Sequence, residues 1–160
     1  MIMKNDPHEI WMKKAFLLAE EAFQAGEVPV GAVVVHKNRI IGKGNNHVER
    51  LHDPTAHAEM IAITAACEHL QNWRLTGAVL YVTKEPCLMC AGAVLNARIS
   101  KVVFSAPDEK EGAAVSRYDV LHDHRKCFVE VIPDICREEG QKLLSRFFSQ
   151  VRETKIRIKN

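Results

Sequence analysis

The sequence predicts one α/β domain folded as a three-layer α/β/α sandwich around a central mixed five-stranded sheet. Its 160 residues and 47% hydrophobic content suit a single globular domain with its own core. Five short apolar segments rich in β-branched residues alternate with segments of helical periodicity, which is typical of a sheet covered by helices. The first two apolar segments predict an antiparallel hairpin, and a later strand, helix and strand require a parallel crossover, so the sheet is mixed.

The first third of the chain predicts a helix followed by the hairpin. Asp6 is a capping residue followed by proline, and Gly26 is a natural helix stop, so a helix is expected between them. Residues 28–35 form a nearly continuous apolar run, and the Lys-Asn pair at 37–38 predicts a turn into a second strand that ends near Asn46.

The middle of the chain predicts two helices and two strands. One helix is expected to begin after the Asp-Pro-Thr sequence at 53–55 and to run to about Leu70. Residues 78–83 predict a strand, another helix opens at Pro86, and residues 101–105 predict the strand that follows it. This succession supplies the parallel crossover.

The last third predicts a long loop, a short strand and a terminal helix. The polar, glycine-containing stretch 106–121 is long enough to be a functional loop. Residues 128–132 predict the fifth strand, and an amphipathic helix is expected at about 134–155, overlapping a basic tail at about 152–160. No composition shift marks a boundary, so residues 1–160 are expected to form one domain.

Charge, cysteine content and hydropathy limit the possible classes of protein. The net charge of +2 is too small to indicate a nucleic-acid partner by itself. The five cysteines are an odd number and two stand as Cys-x-x-Cys, which disfavours a disulfide framework. The chain also lacks an apolar run long enough for a membrane span and an apolar segment typical of a signal peptide. We therefore expect a cytoplasmic protein without a membrane partner.

Two short motifs supply the residues of a metal centre. His57 and Glu59 stand two apart near the first turn of the first central helix, and Cys87 and Cys90 stand three apart in the first turn of the next. A histidine and two cysteines are three ligands for zinc, and a catalytic zinc site keeps three protein ligands and one open position. A helix N-terminus favours the thiolate form that binds the metal. Cys67 is expected to be a core residue.

Glu59, the residue of the first motif that is not needed as a metal ligand, indicates catalysis. A lone Cys-x-x-Cys is more often a structural zinc knuckle or a redox pair, but a structural site needs a fourth ligand and leaves Glu59 without a role. Beside a zinc-activated water, Glu59 could accept a proton and deliver it to a ring nitrogen and a departing amine. These parts together predict hydrolytic deamination of a nucleobase.

At this point the residues resemble the zinc-dependent cytidine-deaminase-like superfamily, and most closely the bacterial tRNA-specific adenosine deaminases. The segments that carry the resemblance are VPVGA at 28–32, HDPTAHAE at 52–59, YVTKEPCLMCAGA at 81–93 and Arg-Ile at 98–99. The subfamily is indicated by residues 102–104, Asp108, Lys110, 112–116 and 119–121.

The resemblance implies a role for each matching residue. It implies one Zn²⁺ per subunit on His57, Cys87 and Cys90, with Glu59 as the proton shuttle. It also implies a contact from Asn46 to the edge of the base and a backbone contact near Ala58.

The resemblance further implies an RNA partner. Asp108 and Lys110 would lie on the loop that holds the nucleotides of a tRNA anticodon stem-loop, and an aromatic pair like Phe147 and Phe148 would lie near the RNA. Members of the family are typically homodimers, so a homodimer is expected.

Several residues also have a simpler interpretation. Asn46 could merely close the hairpin, since asparagine is common in turns. Phe147 and Phe148 recur at helical spacing and are more often core residues, so at most one should face RNA. The basic residues of the tail could be a solvated terminus, although phosphate attraction would use the same composition.

The sequence leaves three functions open. The leading one is conversion of adenosine to inosine at the wobble position of a tRNA anticodon. The second is deamination of a free nucleobase or nucleoside such as guanine, which would require a closed pocket. The third is a noncatalytic RNA-binding module with a structural zinc, which would not need Glu59.

Overall fold

The computed structural model describes residues 6–122 and 127–159. The first five residues of the predicted 1–160 domain, segment 123–126 and the last residue lie outside the described part. The elements in chain order are α1 (Pro7–Gln24), β1 (Gly31–His36), β2 (Arg39–Asn45), α2 (Val48–Leu51), α3 (Ala58–Leu70), β3 (Val79–Lys84), α4 (Leu88–Ala97), β4 (Lys101–Ala106), β5 (Glu130–Ile132) and α5 (Arg137–Lys159).

The strands form one mixed sheet of five, which confirms the predicted fold class. Their order is β2-β1-β3-β4-β5. The first strand pairs antiparallel with β2 and β3, whereas β3, β4 and β5 run parallel to one another. Helices α3 and α4 cover one face of the sheet, and α1 and α5 cover the other, so the domain has three layers.

Both faces of the sheet are buried, and this explains the nearly continuous apolar strands. In β1, Ala32 and Val34 belong to the core under α3 and α4, whereas Val33 and Val35 belong to the core under α1. The predicted turn after β1 is confirmed: Lys37 and Asn38 have φ of 47° and 59°, as a two-residue hairpin turn requires.

Some element boundaries differ from the predictions. Helix α4 begins at Leu88, so Cys87 is its N-cap residue rather than part of its first turn. The fifth strand has three residues, and the short helix α2 was not predicted. Helix α5 runs to Lys159, so most of the segment predicted as a basic tail is helical. No helix within the described residues is long and apolar enough to cross a membrane.

Glycines in β2 let α3 lie directly on the sheet. A Cβ at Gly42 would come within 2.2 Å of the carbonyl oxygen of Ala62, and one at Gly44 within 2.3 Å of that of Ala58. A side chain at either position would push the helix away. The start of α3, with its metal-site motif, is thereby held close to the end of β2.

We expect the substitution Gly42→Ala to destabilise the fold, because the added Cβ meets helix backbone that cannot move aside. The free energy of unfolding, measured in urea, should fall by about 1–3 kcal/mol. Gly92→Ala is the matched control: nothing lies within 4 Å of the added Cβ in α4. That control should be neutral or stabilise by about 0.5–1 kcal/mol. Equal effects would contradict the close-approach argument.

Candidate active site

The predicted site lies where β2 and β3 end and β1 begins. Because β1 and β3 are antiparallel, the start of β1 lies beside the end of β3, with Ala32 opposite Val82. Gly31 in turn lies opposite Asn45 at the end of β2. The residues that follow β2 and β3 therefore meet at one edge of the sheet, where α3 and α4 begin.

A histidine and two cysteines converge at this edge. The Nδ1 atom of His57 lies 3.6 Å from Sγ of Cys87 and 3.5 Å from Sγ of Cys90. The three donor atoms all lie within 4.8 Å of one another, and within the described chain they form the only group of three or more such side chains suited to a metal ion.

These separations suit one tetrahedral metal ion. An ion bound at about 2.05 Å from nitrogen and 2.3 Å from sulfur holds those two atoms about 3.5–3.6 Å apart. Both distances from His57 to the sulfurs match this requirement. Since the cluster contains three ligands, a tetrahedral ion would have one position left.

Each helix start contributes to the electrostatics of the cluster. His57 is the N-cap residue of α3 and Cys87 that of α4, and neither side chain caps its own helix by a hydrogen bond. Both side chains are therefore free to bind a metal, and two helix N-termini favour negative charge there. The hydrogen bond from Cys90 and the one to His57 lower the pKa of the Cys87 thiol. The Cys87 hydrogen bond and burial raise the pKa of Cys90.

Glu59 is buried beside this cluster in the first turn of α3. Only 4% of the residue is exposed, and burial raises the pKa of its carboxyl group. It is not one of the three converging ligands. A carboxyl group whose pKa is raised toward neutrality is suited to accept and return a proton.

A cavity of about 340 Å³ opens over the cluster. Its walls include His57, Glu59 and Cys87, and Asn46 and Ala58 lie in the same walls. The volume falls at the lower end of the range typical of small-molecule sites. The structure thus brings six of the eight predicted site residues together, with Cys90 buried behind the cavity wall.

Asn46 lies in the cavity wall with its amide held in place. Its Oδ1 atom accepts a hydrogen bond from the amide of Val48 at 3.3 Å, and its Nδ2 atom donates to the carbonyl of Val28 at 3.4 Å. The residue therefore shapes the turn after β2 and also lines the cavity, and its contact to the edge of a base stays a prediction.

The terminal helix contributes an aromatic residue to the cavity. Phe147 is buried against Phe23, whereas Phe148 is 42% exposed and lines the cavity. One ring of the pair is thus a core residue and the other faces the site.

The other two predicted site residues lie outside the cavity wall. The Asp108 carboxylate forms an ion pair with Lys84 and accepts hydrogen bonds from the amides of Lys110 and Glu111 at 3.0 and 3.2 Å. Lys84 itself lines the cavity, so Asp108 is linked to the site through this lysine. Lys110 is exposed.

Glu27 and Glu85 are buried acidic residues of the cavity wall that were not predicted from the sequence. Glu27 accepts hydrogen bonds from the amides of Glu49 and Arg50 at 3.1 and 2.7 Å. Glu85 accepts hydrogen bonds from the loop after β4. For Glu85 the sequence carried one signal, because a charged residue stands between an apolar strand and the Cys-x-x-Cys motif. A charged side chain that is buried there requires a hydrogen-bonding partner.

The fold and the site together define a deaminase of the cytidine-deaminase-like class. The chain matches the MafB19-like deaminase family over residues 6–152. It is 47% identical over 152 residues to the tRNA-specific adenosine deaminase of Aquifex aeolicus strain VF5, covering 92% of this chain and 98% of that protein.

Solved structures agree with this class. One, from a study of A-to-I editing by tRNA:A34 deaminases at the wobble position of transfer RNA, has a TM-score of 0.80 and 39% identity, covering 84% of this chain and 99% of its own. A guanine deaminase from Bacillus subtilis has a TM-score of 0.62 and 41% identity, covering 71% and 72%. The chain belongs to the MafB19-like deaminase family and, within it, to the tRNA-specific adenosine deaminases.

We expect Asp108→Asn to remove a pH-dependent contribution to stability. Burial alone raises the pKa of Asp108, but the hydrogen bond and charge of Lys84 and the two loop amides outweigh it and lower the pKa below 3.8. A lowered pKa in the folded state stabilises above the unfolded value, and this contribution is lost as the pH falls through the folded value. The substitution should therefore cost about 1 kcal/mol at pH 7, and the difference should vanish in acid.

Urea unfolding of both proteins between pH 3 and pH 7 measures this difference. Asp134→Asn is the control, because the Asp134 carboxylate forms an exposed pair with Arg137. Such surface pairs contribute little to stability. A difference for Asp108→Asn that is the same at both ends of the pH range would contradict the assignment.

Proposed function

We propose that the chain is a zinc-dependent deaminase that converts adenosine to inosine at the wobble position of a tRNA anticodon. The observation that carries the proposal is a buried Glu59 beside the cluster of His57, Cys87 and Cys90, at the bottom of an open cavity. The relatives named for this reaction match more than nine tenths of the chain.

The donor set favours zinc. Two thiolates and one imidazole are soft and intermediate ligands, which zinc accepts in tetrahedral geometry. His57, Cys87 and Cys90 would hold one ion per subunit. When bound, zinc would lower the pKa of a coordinated water to about 7 and so supply a nucleophile at neutral pH.

Glu59 carries out the proton transfers of the proposed reaction. The Glu59 carboxylate accepts a proton from the attacking water and delivers it to N1 of the adenine ring. Glu59 then accepts the proton of the hydroxyl group formed on C6 and transfers it to the exocyclic nitrogen, as the C6–N bond breaks and the C6 carbonyl forms. Adenosine and water thus give inosine and ammonia, and the glutamate returns to its starting state.

Residues around the cavity fit an adenosine that is presented by RNA. The amide of Asn46 offers a donor and an acceptor to the edge of the base, and Phe148 offers an exposed ring for stacking. The exposed cations Arg152, Lys155 and Arg157 on the last turns of α5 would attract phosphates. An anticodon stem-loop supplies both the base and the phosphates, and the reaction would take place in the cytoplasm.

A free purine is the alternative substrate. The guanine deaminase of known structure shares 41% identity with this chain but covers only 71% of it. Ammonia release from guanine without inosine formation in RNA would favour this alternative.

We also propose a homodimer. Leu88 and Phe128 are 50% and 79% exposed in the single chain, and large apolar side chains of this kind are common at interfaces. Sedimentation equilibrium at micromolar concentration measures the association, and a purely monomeric mass would contradict it.

We expect Glu59→Ala to abolish inosine formation in an anticodon stem-loop with a wobble adenosine. Loss of general acid and base catalysis should lower kcat by at least about 10²-fold, because Glu27 and Glu85, the other buried carboxylates of the cavity wall, are bound to backbone amides. Zinc content should stay at one equivalent, since Glu59 is not a ligand. Chromatography of the digested RNA measures inosine, and wild-type protein with bound zinc but without inosine would refute the proposed substrate.

We expect Cys87→Ser to lose both zinc and activity, because a hydroxyl is a poor zinc ligand at neutral pH. Metal analysis of the purified protein and the inosine assay measure the two losses. Cys67→Ser is the matched control, because Cys67 is packed against the core and lies outside the metal cluster. Retention of a full equivalent of zinc by Cys87→Ser would exclude the proposed ligand set.

A further inference from the structure

Glu85 is a buried carboxylate between the metal site and the loop after β4. It stands between β3 and Cys87, and only 2% of the residue is exposed. Its backbone amide donates to the carbonyl of Ala106 at 2.8 Å, which fixes it beside the end of β4. The proton transfers proposed for Glu59 make no use of Glu85.

Both oxygens of Glu85 accept hydrogen bonds from the loop. Oε1 accepts from the amides of Ala114, Val115 and Ser116 at 3.2, 2.7 and 2.8 Å. Oε2 accepts from the amide of Asp108 at 2.9 Å and from the hydroxyl of Ser116. Five donors thus converge on one carboxylate.

The loop is shaped to approach this carboxylate. A Cβ at Gly112 would come within 2.5 Å of the Glu85 carboxylate, so a side chain there would block the contact. The amide of Ala113 also donates to the carbonyl of Pro86 at 2.8 Å. The inner residues of the loop are therefore tied to the residues that directly precede a metal ligand.

The same loop presents residues outward. Val115 and Tyr118 are 49% and 40% exposed, and Lys110 is exposed as well. Glu85 also lines the cavity over the metal cluster. One side chain therefore joins the wall of the reaction cavity to a loop that faces solvent beside it.

We propose that Glu85 is a positioning residue that holds the loop 107–118 in register with the metal centre for RNA binding. This proposal rests on the proposed function. Only a carboxylate suits the position, because it accepts hydrogen bonds at both oxygens. In Glu85→Gln the amide NH₂ group would face backbone N–H donors, and the loop would shift while the metal ligands stay in place.

Kinetics on the anticodon stem-loop test the proposal. For Glu85→Gln, we expect KM to rise about tenfold with kcat changed by less than about threefold and with one equivalent of zinc retained. Ser116→Ala removes one of the five donors, the hydroxyl group, and keeps both the backbone amide and the Glu85 carboxylate, so KM should rise by about threefold. Glu130→Gln is the control, because the Glu130 carboxylate on β5 forms a surface ion pair with Lys101 on β4, and it should leave KM and kcat unchanged. A fall in kcat at constant KM, or loss of zinc from Glu85→Gln, would overturn the proposal.

Hydrogen exchange tests the loop directly and does not depend on activity. Amides 108–116 should exchange faster in Glu85→Gln and not in Glu27→Gln, where exchange should instead increase at Glu49 and Arg50. Stem-loop affinity in a Glu59→Ala background, measured by fluorescence anisotropy, should also fall about tenfold with Glu85→Gln.

These measurements separate the two proposals. Wild-type protein that binds the stem-loop without deaminating it would refute the proposed function, while the exchange and affinity measurements would still decide the role of Glu85. Should Glu85→Gln fail to fold, Ser116→Ala decides, and an unchanged KM and affinity in that variant would overturn the proposal.

Discussion

The structure depends on two helix N-termini that meet at one edge of the sheet. His57 and Cys87 each stand at the N-cap of a helix, and neither satisfies its own helix amides. Two helix N-termini favour negative charge between them, which suits thiolates and a developing anionic transition state. The glycines of β2 and the parallel crossover from β3 to β4 bring these two ends together.

Acidic residues around this edge have different tasks because their partners differ. Glu59 is buried, and burial raises the pKa of its carboxyl group, which suits the proton transfer proposed for it. Glu27 and Glu85 are equally buried but accept hydrogen bonds from backbone amides of neighbouring segments. Asp108 is paired with Lys84 at the margin of the cavity. The paired carboxylates of Glu27, Glu85 and Asp108 thus stabilise the segments around the cavity, whereas Glu59 is the carboxylate proposed to transfer protons.

Local motifs made the centre of the site predictable from the sequence. The spacing of Cys87 and Cys90 and the position of His57 before a helix depend on nearby residues alone, so their convergence could be anticipated. The alternation of apolar strands and amphipathic helices likewise predicted the mixed sheet. The roles of Glu27 and Glu85 could not be predicted, because their partners are amides more than twenty residues away and leave no periodic trace. The terminal helix was predicted to end at about residue 155, and the helical state of residues 156–159 was missed because their basic composition is also typical of a solvated terminus.

The proposed site holds a metal ion with three protein ligands and one open position. X-ray absorption at the zinc edge of the metal-loaded protein tests it most directly. We predict two sulfur neighbours at about 2.3 Å, one nitrogen at about 2.0–2.1 Å and one further light atom from solvent. A coordination shell closed by four protein ligands, or one with fewer than two sulfurs, would contradict the account.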